Sequence, residues 1–141
     1  MLDALRHSIN AQAFIAFTLY IGLALLLFWL FQLVYTRLTP HREFALIREN
    51  NSAAAVALGG ALIGFSLPAS NIIAYSIGLL DVVIWVVIGA VVQLLAFTLT
   101  SLVLKGLAAR IAKGEMAAAI YAAAVAISVG LLNSACMTPS T

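Results

Sequence analysis

VVIWVVIGAVVQLLAFTLTSLVL, residues 82–104, decides the fold. No charged side chain interrupts this stretch. At about 1.5 Å per residue, such a helix reaches across a hydrocarbon core of roughly 30 Å. Lipid offers the backbone no hydrogen-bond partner, so a spanning segment pairs within itself as a helix or with neighbours in a closed barrel. A barrel strand alternates apolar and polar residues, and this run does not, so it reads as a helix. Working outward, residues 13–35, 52–74 and 116–137 are further runs of the same kind, with Pro68 inside the second in chain order. The expected fold is an all-α integral membrane protein of four transmembrane helices, forming one domain over residues 1–141.

Composition agrees. Of 141 residues, 65% are apolar and 9% charged, against roughly 45–50% and about 25% in soluble domains. A soluble globular enzyme is excluded. A net charge of +2 is too small for a nucleic-acid footprint, so no nucleic acid is expected as partner. The one cysteine rules out an internal disulfide framework or a multi-cysteine zinc site.

The charges lie between the spans. Arg37, Arg42, Glu43, Arg48 and Glu49 fall in a loop at about 36–51, and Lys105, Arg110, Lys113 and Glu115 in another at about 105–115. Asp81 marks a tight link between spans two and three, and Asp3 and Arg6 precede span one. The positive-inside rule places both basic loops in the cytoplasm and both termini in the periplasm, an N-out/C-out topology. A cleaved signal peptide is not expected, because span one is too long and most of its flanking cations follow it.

Sliding the chain by 64 positions lays Ala53-Ala54-Ala55-Val56 on Ala117-Ala118-Ala119-Ile120, Ile47 on Ile111 and Ser70 on Ser134. It also lays Gly60 on Ala124 and Gly64 on Ser128. This predicts two tandem parallel two-helix repeats, about 13–75 and 82–138, related by an axis along the membrane normal. Small residues let helix backbones approach. Ala53, Ala57, Gly60 and Gly64 share one face of span two; Ala119, Ala123, Ala126 and Gly130 do so in span four, with Ala124 and Ser128 extending that surface. Gly60, Gly64, Ala124 and Ser128 are the expected packing residues, with spans two and four central and the bulkier spans one and three outside.

No carboxylate, Lys, Arg or His is expected at membrane depth, which weighs against proton relays and ion-coupled carriers. Neutral polar groups remain: Gln93 at the midpoint of span three, Asn133 in span four, and Pro68, whose missing N–H frees a carbonyl near Gly64. Their ordinary role is glue between helices; their functional role would be a polar path. No metal or cofactor site is expected, since His7 and His41 fall on opposite sides of the membrane and Cys136-Met137 alone cannot hold an ion. The most textured loop residues are Thr39, Pro40, His41, Arg42, Glu43, Phe44, Asn50 and Asn51. Thr39-Pro40 reads as an N-cap and first helical residue with Glu43 near a capping-box position. A short amphipathic helix then lies among headgroups or docks a cytoplasmic partner.

Thr39-Pro40-His41-Arg42-Glu43, Leu46-Ile47, Asn50-Asn51-Ser52-Ala53-Ala54, Gly60 and Gly64 resemble the signature of the YjfL-like family of small bacterial inner-membrane proteins, classed as domain of unknown function 350 (DUF350). The ending Leu132-Asn133-Ser134-Ala135-Cys136-Met137-Thr138 is similar to that family's C-terminus, while the second basic loop matches less distinctly. The resemblance implies four helices with a duplicated pair, an inner-membrane location and an envelope-related setting. Its relatives are often encoded near phage-shock-like membrane-remodelling proteins and glutathionylspermidine-synthetase-like enzymes. It brings no catalytic residue. The expected function is a scaffold, envelope-stress or membrane-maintenance component acting through its cytoplasmic loops. The alternative is an oligomeric channel or transporter for a small solute or ion, and an enzyme is not expected. The expected partners are the lipid bilayer, further copies of the chain and a cytoplasmic phage-shock-like membrane-remodelling protein.

Overall fold

The structure is a computed structural model that describes residues 1–8, 10–40 and 42–137. The described residues form seven helices: α1 (Leu2–Ser8), α2 (Ala11–Leu38), α3 (Glu43–Arg48), α4 (Ser52–Tyr75), α5 (Leu79–Val103), α6 (Leu107–Ala112) and α7 (Met116–Cys136). The four long helices, α2, α4, α5 and α7, are each long and apolar enough to cross a membrane. Short helices α3 and α6 occupy the two basic connections.

Local chemistry sets the helix ends. Asn10 caps α2 by accepting from the Ala13 amide at 2.6 Å, and Asn51 caps α4 by accepting from the Ala54 amide at 3.0 Å. Asp81, in the first turn of α5, accepts from the Ile77 amide at 3.2 Å and fixes the tight link before it. Thr39 departs from expectation. It does not cap α3 but closes α2, its hydroxyl donating to the Tyr35 carbonyl at 3.2 Å. Pro40 disfavours a helical Thr39 by steric clash, so the backbone turns extended there. Arg42 takes the N-cap position of α3, without a side-chain cap bond, and Glu43 becomes its first residue.

The two basic connections share a backbone pattern. Asn50 and Gly114 both have positive φ, 65° and 81°, the left-handed conformation that ends helices and suits Asn or Gly. Asn51 N–H donates to the Leu46 carbonyl at 2.9 Å, and Glu115 N–H to that of Arg110 at 3.0 Å. Asn50 and Gly114 likewise donate to Ile47 and Ile111, at 3.0 and 2.9 Å.

Within the bundle, α7 lies along α4, α5 packs across both, and α2 rests on α4 and α5. Half of the apolar stretch of α4 is buried, against 6% of that of α2. Only α4 is central on both sides; α7 contributes a single face and is no more buried than α5. Where α4 and α7 cross, the missing side chain of Gly60 makes room for Ala123, and Gly64 and Gly130 meet backbone to backbone. Ala124 and Ser128, expected on this surface, are instead exposed. Each residue advances a helix by about 100°, so they lie on the row beside Ala123, Ala126 and Gly130, not on it. The Ser128 hydroxyl satisfies itself on the Ala124 carbonyl at 2.7 Å.

Two buried clusters flank this crossing. Phe31, Tyr35, Leu58, Phe65 and Val86 fill the seam between α2, α4 and α5, with the Phe31 and Phe65 rings stacked at 4.2 Å. Ala53, Ala54, Leu107, Ile111, Ala118 and Ala119 close the end that carries α3 and α6.

Candidate functional site

Polar groups buried in an apolar bundle need partners, and those that lack one mark where a ligand or water belongs. Gln93, on α5, is 1% exposed. Its Nε2 donates to the Ala126 carbonyl of α7 at 3.0 Å, and the amide presses over Gly64, where a β-carbon would collide with it. Its Oε1 has no partner among the described residues, nor has Nδ2 of Asn133 on α7. Asn133 faces the bare Gly89, alongside Pro68 and Met137. Gly89 stands one turn before Gln93 on α5. Of the three residues expected to form a polar path, Pro68 and Asn133 meet at Gly89, while Gln93, one turn further along α5, lies at Gly64. The carbonyl freed by Pro68, that of Gly64, lies against Gly130.

Toward the Asp81 end the polar contacts continue. Asn71 Nδ2 donates to the Ser134 carbonyl at 2.8 Å, and the Ser134 hydroxyl to the Leu67 carbonyl at 3.3 Å. An open cavity of about 480 Å³ follows, lined by Tyr75, Ser76, Asp81, Trp85, Cys136 and Met137 among others. Two apolar grooves flank α2, one lined by Phe28, Ser66 and Ala69, the other by Leu30, Val87 and Leu94.

At the opposite end, the textured loop divides into two sets. Thr39 and Glu43 are buried, at 5% and 1% exposure. Glu43 was expected near a capping-box position and available for docking; the later start of α3 makes it the first residue of that helix and buries it. Sixty-four positions on, the equivalent residue is the buried Leu107. Pro40, Arg42, Phe44, Arg48, Glu49 and Asn50 face outward, and His41 lies outside the described residues. Asn51 works structurally: beyond capping α4, its Nδ2 donates to the Ile111 and Ala112 carbonyls, both at 3.1 Å, and so ties α6 to α4. On α6, Arg110 pairs with Glu115. Sequence reasoning missed Glu43 as a buried carboxylate; the Leu107 correspondence was the signal available.

Asn51→Ala is expected to lower stability by about 1–2 kcal/mol, through loss of the cap and of two bonds to α6. Asn51→Asp keeps the acceptor and loses the donor, so its thermal unfolding in detergent should fall between the two. Equal transitions for parent and Asn51→Ala would contradict the clamp.

The family model described as Domain of Unknown Function (DUF350) matches residues 8–137. The chain is 35% identical over 129 residues to the UPF0719 inner membrane protein YjfL of Escherichia coli (strain K12), covering 90% of this chain and 96% of that protein. The protein of the same name from Escherichia coli O157:H7 matches equally over the same shares. No solved structure matches the chain.

Proposed function

The chain belongs to the DUF350 family, and from that premise we propose a multi-pass protein of the bacterial inner membrane that serves as a scaffold or membrane-maintenance component through its cytoplasmic face. Both termini lie in the periplasm, in keeping with the distribution of cations around the spans. The chain consists of two tandem parallel repeats; the matched hydrogen bonds and positive-φ residues 64 positions apart support this duplication. It works in the bilayer as a homo-oligomer, without cofactor or catalytic group.

One observation carries the scaffold reading: Asn51 fastens α6 to α4, on which α3 also packs, so both short helices are held at one end of the bundle. Phe44, 43% exposed, stands on α3 between the exposed Arg42 and Arg48 in sequence, and the exposed Lys105 and Lys113 bracket α6. An exposed aromatic ring on a short helix that also carries exposed arginines suits an acidic face of a cytoplasmic membrane-remodelling protein. A photo-crosslinker at Phe44 in cells is expected to capture a discrete protein adduct that Arg42→Glu/Arg48→Glu abolishes. In a Cys136→Ala background, Phe44→Cys should resist an impermeant thiol reagent added outside, while Cys136 of the parent reacts. Capture of lipid alone would overturn docking, and labelling of Phe44→Cys from outside would overturn the topology.

A second reading, a path for a small solute or ion, is favoured by the unpartnered buried Oε1 of Gln93.

A further inference from the structure

The packing of α4 on α7 joins unlike faces. Gly60 and Gly64 of α4 meet Ala123, Ala126 and Gly130 of α7. Sixty-four positions before those three α7 residues stand Gly59, Leu62 and Ser66. That row lies about 150° around α4 from Gly60 and Gly64. Sixty-four positions after Gly60 and Gly64 stand Ala124 and Ser128, exposed and turned away from α4 by a like angle. Each repeat thus spends one face inside the chain and leaves the other open. The two open faces are the two halves of the contact already made within the chain. A contact between unlike faces propagates head to tail and closes into a ring where the rotation permits. Resting on the reading of the chain as a homo-oligomer of two tandem repeats, we propose that α7 of one copy lies along α4 of the next. The register is the one α4 and α7 take within the chain, and the ring axis follows the membrane normal.

An empty seat marks this register. Within the chain, Pro68 of α4 meets Gly89 alongside Asn133 and Met137. Sixty-four positions before those three stand Leu25, Ala69 and Ile73, and they line an unfilled groove between α2 and α4. Sixty-four positions after Pro68 stands Leu132, 68% exposed on α7. The register therefore seats an exposed leucine of one copy in an apolar groove of the next. Burial shows the same vacancy. Helix α5 lies against the α7 of its own repeat and the α4 of the other, and 28% of its apolar stretch is buried. Its equivalent α2 has 6% buried; the missing cover is the α7 of a neighbour.

Charge agrees with the same register. Asn51 donates to the Ile111 and Ala112 carbonyls within the chain. The equivalent residues are Glu115 on one side and Ile47 and Arg48 on the other. A neutral clamp inside the chain is thus matched between copies by an exposed carboxylate and an exposed guanidinium. Arg42 and Phe44 stay free for a cytoplasmic partner. Farther along, Ser128 faces Ser66 where Gly64 meets Gly130. Both hydroxyls already donate to carbonyls of their own helices at 2.7 Å, so neither is stranded in lipid. Two serines hold the helices wider apart than two glycines, and Ala124 then lies over the open side of Gly59 with room for a methyl group. A foreign helix would have to reproduce leucine, carboxylate and small residues in one register; a second copy of the chain carries them.

The test keeps the full chain in membranes, in a Cys136→Ala background. Gly59→Cys and Ala124→Cys lie on the far sides of the α4–α7 pair, so one chain cannot bridge them. With both substitutions, a short membrane-permeant thiol-to-thiol crosslinker is expected to give a ladder of dimers, trimers and larger species on a denaturing gel. Either substitution alone is expected to give none. Dimers from a single substitution would mean that like faces meet, and would overturn the proposal. The mass of the parent in lipid nanodiscs is measured in parallel. A multimeric mass without a ladder overturns this contact and keeps the homo-oligomer; a monomeric mass overturns both. Should the doubly substituted chain fail to fold, charge reversal at the exposed end decides. Glu115→Lys is expected to weaken assembly about threefold, and adding Arg48→Glu to restore it. Loss of the Arg110–Glu115 pair alone gives no such restoration. Assembly that stays weak in the double reversal, or that Glu115→Lys leaves unchanged, overturns the proposal.

Discussion

Gly130→Ala is expected to separate α7 from α4 and to leave little folded protein in detergent. The added methyl would fall on the backbone of Gly64, its carbonyl oxygen included. Backbone at the middle of a packed helix cannot swing aside as a side-chain tip does, so the two helices must part. Parting them breaks the principal packing of the bundle, including the Gly60–Ala123 contact and the Gln93–Ala126 hydrogen bond. Overpacking a tight core costs about 1–3 kcal/mol when side chains give way, and more when they cannot. The expected loss is ~3 kcal/mol or more. Gly22→Ala and Gly59→Ala are the controls. Their β-carbons meet nothing within 4 Å, and replacing helical Gly with Ala adds roughly 0.4–1 kcal/mol of stability where the conformation allows it. Size-exclusion elution and thermal unfolding should therefore rank Gly130→Ala far below the parent and both controls at or slightly above it. A Gly130→Ala protein that elutes and unfolds like the parent would show that the crossing is looser than described.

The second large effect is expected at the other end. Ile111→Ala should cost about 2–5 kcal/mol, the usual range for emptying a filled site. Ile111 is 0% exposed and packs among alanines of α4 and α7, which have no longer side chains with which to refill the space. With α6 loosened, trypsin should cut after Lys105 and Lys113 at rates the parent does not show. Ile120→Ala removes as many atoms from a residue 55% exposed on the outside of α7, where lipid takes their place, so neither unfolding nor trypsin cleavage should change much. Equal cleavage of the two variants would mean that Ile111 does not hold α6 in place.

The same contrast between α4 and α7 explains which parts of the fold could be read in advance. In α4 the small residues and bulky ones separate around the helix, so Gly60 and Gly64 were legible as contact positions. In α7 nearly every face is small and apolar: Ala117, Ala118, Ala119, Ala122, Ala123, Ala124 and Ala126 surround the axis. A helix without a polar face carries no periodic signal of its own orientation. Ala124 and Ser128 were placed on the contact surface by correspondence with Gly60 and Gly64, and packing rotated them out of it. The loop shows the converse. Asn50 and Asn51 stood out as textured residues suited to docking, yet Asn51 caps α4 and clamps α6, and Asn50 takes the left-handed turn. Gln93 was legible as the polar midpoint of its span; that one of its two amide atoms would be satisfied and the other not depended on where Ala126 came to rest.

The sequence by itself determined that four helices are long and apolar enough to cross a bilayer and where the short polar connections lie between them. Transfer of side chains from water to hydrocarbon sums along the chain, so a charge-free run is decisive before anything packs. Tertiary structure decided which faces meet, that Glu43 is buried, and that Gln93 comes to rest on Gly64 and Asn133 on Gly89. Those outcomes depend on the rotation and closeness of whole helices, and in lipid they are settled by backbone approach and a few hydrogen bonds, because hydrophobicity there no longer distinguishes one side of a helix from another.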